Sequence, residues 1–145
     1  MSLEQQTYEG QCFCGAVRFE VTGDPVGAGF CHCKTCRSWK AAPFQAFTLW
    51  KSDSVKVTQG ENLIGDYTNN GETHRQWCTA CGGQLLQRHP SADLVNVFPA
   101  TIPAFRFAPE LHVHYASTVL PIRDGLPKLR DLPEDMGGSG ETVAE

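Results

Sequence analysis

The stretch from residue 9 to residue 21, EGQCFCGAVRFEV, carries two signals side by side. Its second half alternates: Val17, Phe19 and Val21 fall on one face of an extended chain and Arg18 and Glu20 on the other, the period of a half-buried strand. Its first half offers Cys12 and Cys14 one residue apart, followed by Gly15. That spacing lets two sulfurs of a tight turn face one ion, while a glycine at positive φ aims amide hydrogens at the thiolates.

The alternation recurs further along the chain. Leu111, Val113 and Tyr115 alternate with His112 and His114, and short β candidates run over residues 44–50, 55–57, 84–87 and 94–98. Turn-rich stretches separate them, among them Gly23-Asp24-Pro25 and the hairpin signal Asn70-Gly71. No long segment keeps a helical period; residues 34–40, after Cys33, are expected to form a helical turn or two. With 145 residues, 41% hydrophobic and 19% charged, the chain is of one-domain length and too apolar to be disordered. The expectation is a mainly β single domain over residues 4–130, with an acidic, flexible C-terminal tail over residues 131–145.

Charge excludes several function classes. Asp131, Glu134, Asp135, Glu141 and Glu145 lie in a tail with no Lys or Arg, leaving 12 bases against 11 of the 16 acids in the rest of the chain. A nearly neutral body offers no general attraction for nucleic acid or an anionic membrane, and Trp39 and Trp50 read as core rather than as stacking platforms. The opening MSLEQQTYEG lacks the basic and apolar regions of a secretory signal, and no apolar run of about 18 residues follows. A cytoplasmic protein is expected, with Met1, Ser2 and Leu3 set aside. A reducing cytosol keeps thiols available as ligands or nucleophiles.

All seven cysteines fall in three clusters: Cys12 and Cys14; Cys31, Cys33 and Cys36 in CHCKTC; and Cys78 and Cys81 in CTACG. The first and third share a trailing glycine, Gly15 and Gly82, whereas Arg37 follows the second. The asymmetry suggests a division. Cys12, Cys14, Cys78 and Cys81 would close a four-thiolate structural zinc site joining the two ends of the first hundred residues. Cys31, Cys33 and Cys36 would hold a second, catalytic or labile zinc with one position left for water or a substrate thiolate. A redox dithiol at Cys33 and Cys36 is the competing reading of the middle cluster. His32 would project away from the sulfurs, in a structural or supporting role.

Around the middle cluster, Lys34, Arg37 and Lys40 could offset the negative charge of a three-thiolate zinc, and Lys34 and Arg37 are candidates for binding substrate carboxylates. A solvated helical face accounts for the same cations equally well. Arg75, Arg88 and His89 are weaker anion-site candidates, and His112 and His114 share a predicted strand face from which they could approach a metal.

Taken in order, EGQCFCGAVRFEV, FCHCKTCRSWKAAPF, HRQWCTACGGQLL and ELHVHYASTVLPIRDGLPKL, with its closing Asp124-Gly125-Leu126-Pro127, resemble the glutathione-dependent formaldehyde-activating enzyme family, also called the centromere protein V domain family. The likeness spans most of residues 9–130. It implies a tent-like β fold, the same four-plus-three division of zinc ligands, glutathione bound near the second zinc, and a carbon–sulfur lyase that forms S-(hydroxymethyl)glutathione from glutathione and formaldehyde. Cys31, Cys33 and Cys36 are then the catalytic candidates, with a small-molecule thiol and a small aldehyde as partners. A zinc-stapled module that carries glutathione or docks a protein without turnover has the same cysteines and is the alternative.

Overall fold

The computed structural model describes residues 5–145; the residues set aside at the N-terminus, and the first residue of the expected domain, lie outside the described part. In chain order the elements are β1 (Thr7–Gln11), β2 (Arg18–Thr22), β3 (Gly27–Cys31), α1 (Lys34–Lys40), β4 (Gln45–Lys51), β5 (Val55–Gln59), β6 (Ile64–Tyr67), β7 (His74–Cys78), β8 (Gln84–His89), β9 (Leu94–Val97) and β10 (Leu111–Val113). The mainly β expectation holds, and the expected helical stretch is α1. No helix among the described residues is long and apolar enough to cross a membrane. The chain groups into two compact units, one comprising the residues up to Gly27 with Thr48–Phe107, the other Ala28–Phe47 with Ala108–Glu145.

In the first unit β1, β2 and β5 form an antiparallel sheet. The predicted face of the second strand is its buried face, with Val17, Phe19 and Val21 essentially inaccessible. Thr48–Lys51 of β4, then β9, β8, β7 and β6, pair antiparallel in that order. Trp50, Val55, Leu85, Leu86, Val95, Val97 and Ile102 complete the core, and Cys12 and Cys78 are part of it. Trp50 is fully buried, and its indole N–H is satisfied by Thr48 Oγ1 at 2.8 Å. Tyr8 and Phe105 meet its ring edge-on.

In the second unit β10 runs parallel to β3, with His112 beside Phe30 and Val113 beside Cys31. The backbones approach so closely at Gly29 that a Cβ there would strike the Leu111 carbonyl oxygen. The strand expected to continue to Tyr115 ends at Val113, because His114 adopts a left-handed conformation (φ 52°) and opens a 3₁₀ turn. Tyr115 is therefore buried by a turn, and His112 and His114 do not share a strand face.

Residues 131–145 face solvent, none of them buried, and hydrogen bonds and ion pairs tie them to the residues before them. Leu129 bridges Thr142, the amides of Arg130 and Val143 donate to Glu141 O and Lys128 O at 2.8 Å each, and Lys128 Nζ reaches Glu145 Oε1 at 3.0 Å. Composition alone reads this acidic, glycine-rich segment as unable to bury itself. It folds back because Lys128 and Arg130 lie where Glu145 and Glu141 can meet them.

Gly60 (φ 76°) holds the chain between β5 and β6 against Ala16, in the segment that follows the first cysteine pair. A Cβ at this position would run into the Ala16 carbonyl oxygen, whereas one at Gly71 (φ 75°) meets nothing within 4 Å. Gly60→Ala should therefore cost about 2–3 kcal/mol and Gly71→Ala about 1 kcal/mol, since the second bears backbone strain alone. Equal losses in chemical denaturation would contradict the close approach.

Candidate metal centres

Cys12, Cys14, Cys78 and Cys81 bring their four sulfurs within 4.8 Å of one another. The Cys12–Cys14 and Cys14–Cys78 separations are 3.7 and 4.0 Å. Sulfurs about 2.3 Å from a tetrahedral zinc stand about 3.8 Å apart, so this spacing fits that ion. It does not fit disulfides, and all seven cysteines are free.

The turns that present these sulfurs use the two trailing glycines as the sequence suggests. Gly15 and Gly82 take φ of 80° and 76°, and their amides close turns onto Cys12 O and Cys78 O. The amides of Val17 and Gly83 point at the sulfurs of Cys12 and Cys81, each at 3.3 Å. Burial opposes ionisation of Cys12, but the Val17 amide and the Cys14 and Cys78 thiols outweigh it and bring the thiol down to about 6. Cys14, helped by the Ala16 amide but held back by desolvation and by its sulfur neighbours, is pushed up to about 11. Four sulfurs converging in this way form a thiolate cage suited to a soft divalent cation.

Cys31, Cys33 and Cys36 form the second cluster, its three sulfurs also within 4.8 Å. Cys31 ends β3, Cys33 caps α1, and its sulfur accepts from the Cys36 amide at 3.3 Å. Contact with the Cys31 and Cys36 sulfurs favours the Cys33 thiolate over the desolvation that resists it, with further help from the Cys36 amide and the nearby His114. Cys36 is held protonated by the Cys31 and Cys33 sulfurs, and Cys31 is pushed up to about 12, chiefly by Cys33. Three convergent sulfurs suit the same class of ion with one coordination position open.

The other sequence candidates are distributed as follows. Lys34 is exposed at the start of α1. Arg37 donates from Nε to His32 O at 3.0 Å, which fixes its side chain beside the cluster. Burial pulls Lys40 down to about 7 against the opposing pull of Cys36. Arg88 donates to Gln76, whose amide binds Asp66, and Asp66 also binds His74, so Arg88 is engaged in a side-chain lattice. His32 lies outside both ligand sets, as expected.

Sequence reasoning missed what surrounds His32. Fully buried, it meets Thr118 Oγ1 through Nδ1 at 2.9 Å and His112 Nδ1 through Nε2 at 2.8 Å. His112 Nε2 then reaches Asp124 Oδ2 at 2.7 Å, and Asp124 Oδ1 accepts from Lys128 Nζ at 2.6 Å. Desolvation is outweighed at Asp124 by Lys128 and His112, which hold the carboxyl well below the usual carboxylate range. Only Asp124-Gly125-Leu126-Pro127 signalled any of this in the sequence, as a motif without a partner.

Two measurements follow from this geometry. Cys78→Ser should lower bound metal from two equivalents to one and sharply reduce thermal stability, whereas Cys33→Ser should remove one equivalent with a small thermal cost; elemental analysis with calorimetry checks both. Because the Asp124 pKa is depressed on folding, its stabilisation is present above about pH 4, the unfolded carboxyl value, and is lost as pH falls below it. The gap in thermal midpoint between the wild type and Asp124→Asn should be full at pH 7 and close under acid conditions.

Three comparisons with known proteins bear on this arrangement. A lyase of Schizosaccharomyces pombe that is described as uncharacterized is 36% identical over 78 residues, 54% of this chain and 55% of that protein, so the match spans about half of that relative's length. A Halomonas elongata protein, provisionally named a glutathione-dependent formaldehyde-activating enzyme, is 30% identical over 115 residues, 73% of this chain and 72% of that one. A crystal structure of a Rhodobacter sphaeroides protein shares the fold at a TM-score of 0.57 and 21% identity, covering 68% of this chain and 90% of the other. The model of the glutathione-dependent formaldehyde-activating enzyme family matches residues 7–117, which contain all seven cysteines. The chain belongs to that family.

Proposed function

We propose that the chain is a zinc-dependent carbon–sulfur lyase that joins the thiol of glutathione, or a similar small thiol, to formaldehyde or another small aldehyde. The carbon–sulfur bond forms at the aldehyde carbon, the thiol proton passes to the former carbonyl oxygen, and the product is a hemithioacetal; cleavage is the reverse. The observation that carries the reading is the contrast between the two clusters, a group of four sulfurs and a separate group of three.

The residues divide the work accordingly. Cys12, Cys14, Cys78 and Cys81 would hold a structural zinc, and Cys31, Cys33 and Cys36 a second one. Bound zinc supplies a Lewis acid that lowers the pKa of a thiol or polarises an aldehyde oxygen. Arg37, oriented by its bond to His32 O, and the exposed Lys34 would hold the carboxylates of the thiol substrate. Hemithioacetals form readily unaided, so positioning two small reactants supplies the modest acceleration required. A reducing compartment such as the cytoplasm, which keeps the seven thiols available, fits this reading.

With zinc-replete protein, S-(hydroxymethyl)glutathione should form faster than it does spontaneously, measured by exchange spectroscopy, and Cys33→Ser should return the rate to the background. No acceleration by the replete protein would sink the proposal. Glutathione binding by calorimetry without acceleration would point instead to a carrier.

A further inference from the structure

The second cluster has a histidine between two of its ligands, and every polar atom of that histidine is engaged. His32 N donates to Val113 O at 3.1 Å, and His32 O accepts from Arg37 Nε at 3.0 Å. Nδ1 and Nε2 meet Thr118 and His112, as described above. We infer that Thr118, His112 and Asp124 are positioning residues for the second centre: acting through the His32 ring, they hold the Cys31-His32-Cys33 segment in the arrangement that brings its sulfurs to one metal ion. This rests on the reading of Cys31, Cys33 and Cys36 as a metal site.

Both imidazoles in this chain of side chains meet a fixed partner at each ring nitrogen. Asp124, a carboxylate anchored by Lys128 Nζ and by the Leu126 amide at 3.0 Å, can only accept, so His112 Nε2 carries a proton. His112 Nδ1 then faces His32 Nε2, and His32 Nδ1 faces the Thr118 hydroxyl, itself held by donating to Leu120 O at 3.0 Å and accepting from the Leu120 amide at 3.2 Å. Each ring thus has one orientation. Phe30 and Phe44 pack against the imidazoles of His112 and His32, with centroids 4.9 and 5.6 Å apart, and restrict rotation further.

A ring so fixed constrains the backbone on which it sits. His32 is the single residue between Cys31 and Cys33, so a rotation of its Cα–Cβ bond or a shift of its carbonyl moves both sulfurs. The order imposed by Asp124, 92 residues further along, costs no mobility when the ion binds, which is how hydrogen-bond partners behind a metal site raise affinity. This assigns Asp124 and its anchor Lys128 a role that ligand spacing cannot reveal.

Titration of the metal-free protein with cobalt(II), followed by thiolate-to-cobalt absorption and chelator competition, tests the assignment. The wild type should take up two equivalents. In Thr118→Val and Asp124→Asn the first equivalent, at the four-cysteine site, should bind as in the wild type, and the second should bind about 10–100-fold more weakly with altered absorption. Thr118→Ser should restore wild-type behaviour. Should Asp124→Asn fail to fold, Thr118→Val, which leaves the ion pair intact, decides alone. Unchanged second-site affinity in the variants, or equal weakening of both sites, overturns the inference while leaving the metal reading standing. A wild type that binds a single equivalent, with Cys33→Ser unchanged from it, overturns that reading and the inference with it.

Discussion

Four sulfurs drawn from two loops set the conditions for the rest of the first unit. Cys14 and Cys78 are 64 residues apart in sequence and 4.0 Å apart in space. Cys12 and Cys78 are at once members of the hydrophobic core and of the sulfur cluster, so the strands that follow Cys12 and end at Cys78 are fixed by the same residues. Buried thiols crowded together without disulfides are a poor arrangement in themselves, because ionising one opposes the next. A divalent cation removes that conflict, and its binding free energy becomes folding free energy. With ten short strands among the described residues, the longest of seven residues, the chain gains from such a staple.

The second cluster obeys different constraints. Its sulfurs lie within six residues, so they close almost no loop and contribute little cross-linking to the fold. What order they have comes from neighbours: the end of β3, the first turn of α1, and the ring of His32 held by groups from β10 and the residues after it. A site that adds little to stability is free to be incomplete. Incompleteness is what thiol chemistry at a metal requires, because an occupied fourth position would leave the substrate sulfur nowhere to bind.

The sequence was legible where one residue type answers to one physical demand. Gly15 and Gly82 had to follow their cysteine pairs with positive φ, and they do; Val17, Phe19 and Val21 had to share a buried face, and they do. β1 and β3 went unread because Thr7–Gln11 lacks clear apolar alternation and Gly27–Cys31 holds two glycines, so pairing with neighbouring strands overrides local propensity. β6 and β7 flank the hairpin signal that was read, yet Ile64–Tyr67 and His74–Cys78 are too polar to announce themselves. The ties of the last fifteen residues to Lys128 and Arg130 went unread for a related reason. Composition counts their acids, but not that Lys128 and Arg130 meet Glu145 and Glu141. Long-range polar pairs such as His32 with His112, 80 residues apart, leave no periodic trace at all.

Charge explains why these polar pairs gather at one centre and not at the other. A zinc with four thiolates would keep a double negative charge, and one with three a single negative charge; Arg18, bonded at 3.3 Å to Gly15 O, stands beside the first, while Arg37, hydrogen-bonded at 3.0 Å to the residue between two ligands, and Lys34 on α1 stand beside the second. The smaller charge thus has the larger share of these cations. Their placement fits a centre that must accept a further anion, because an arriving thiolate raises the local negative charge and a carboxylate-bearing thiol raises it more. Asp124 would add to that charge if left free. Lys128 pairs with it and His112 hydrogen-bonds it, so the carboxylate orders the site while its charge is offset.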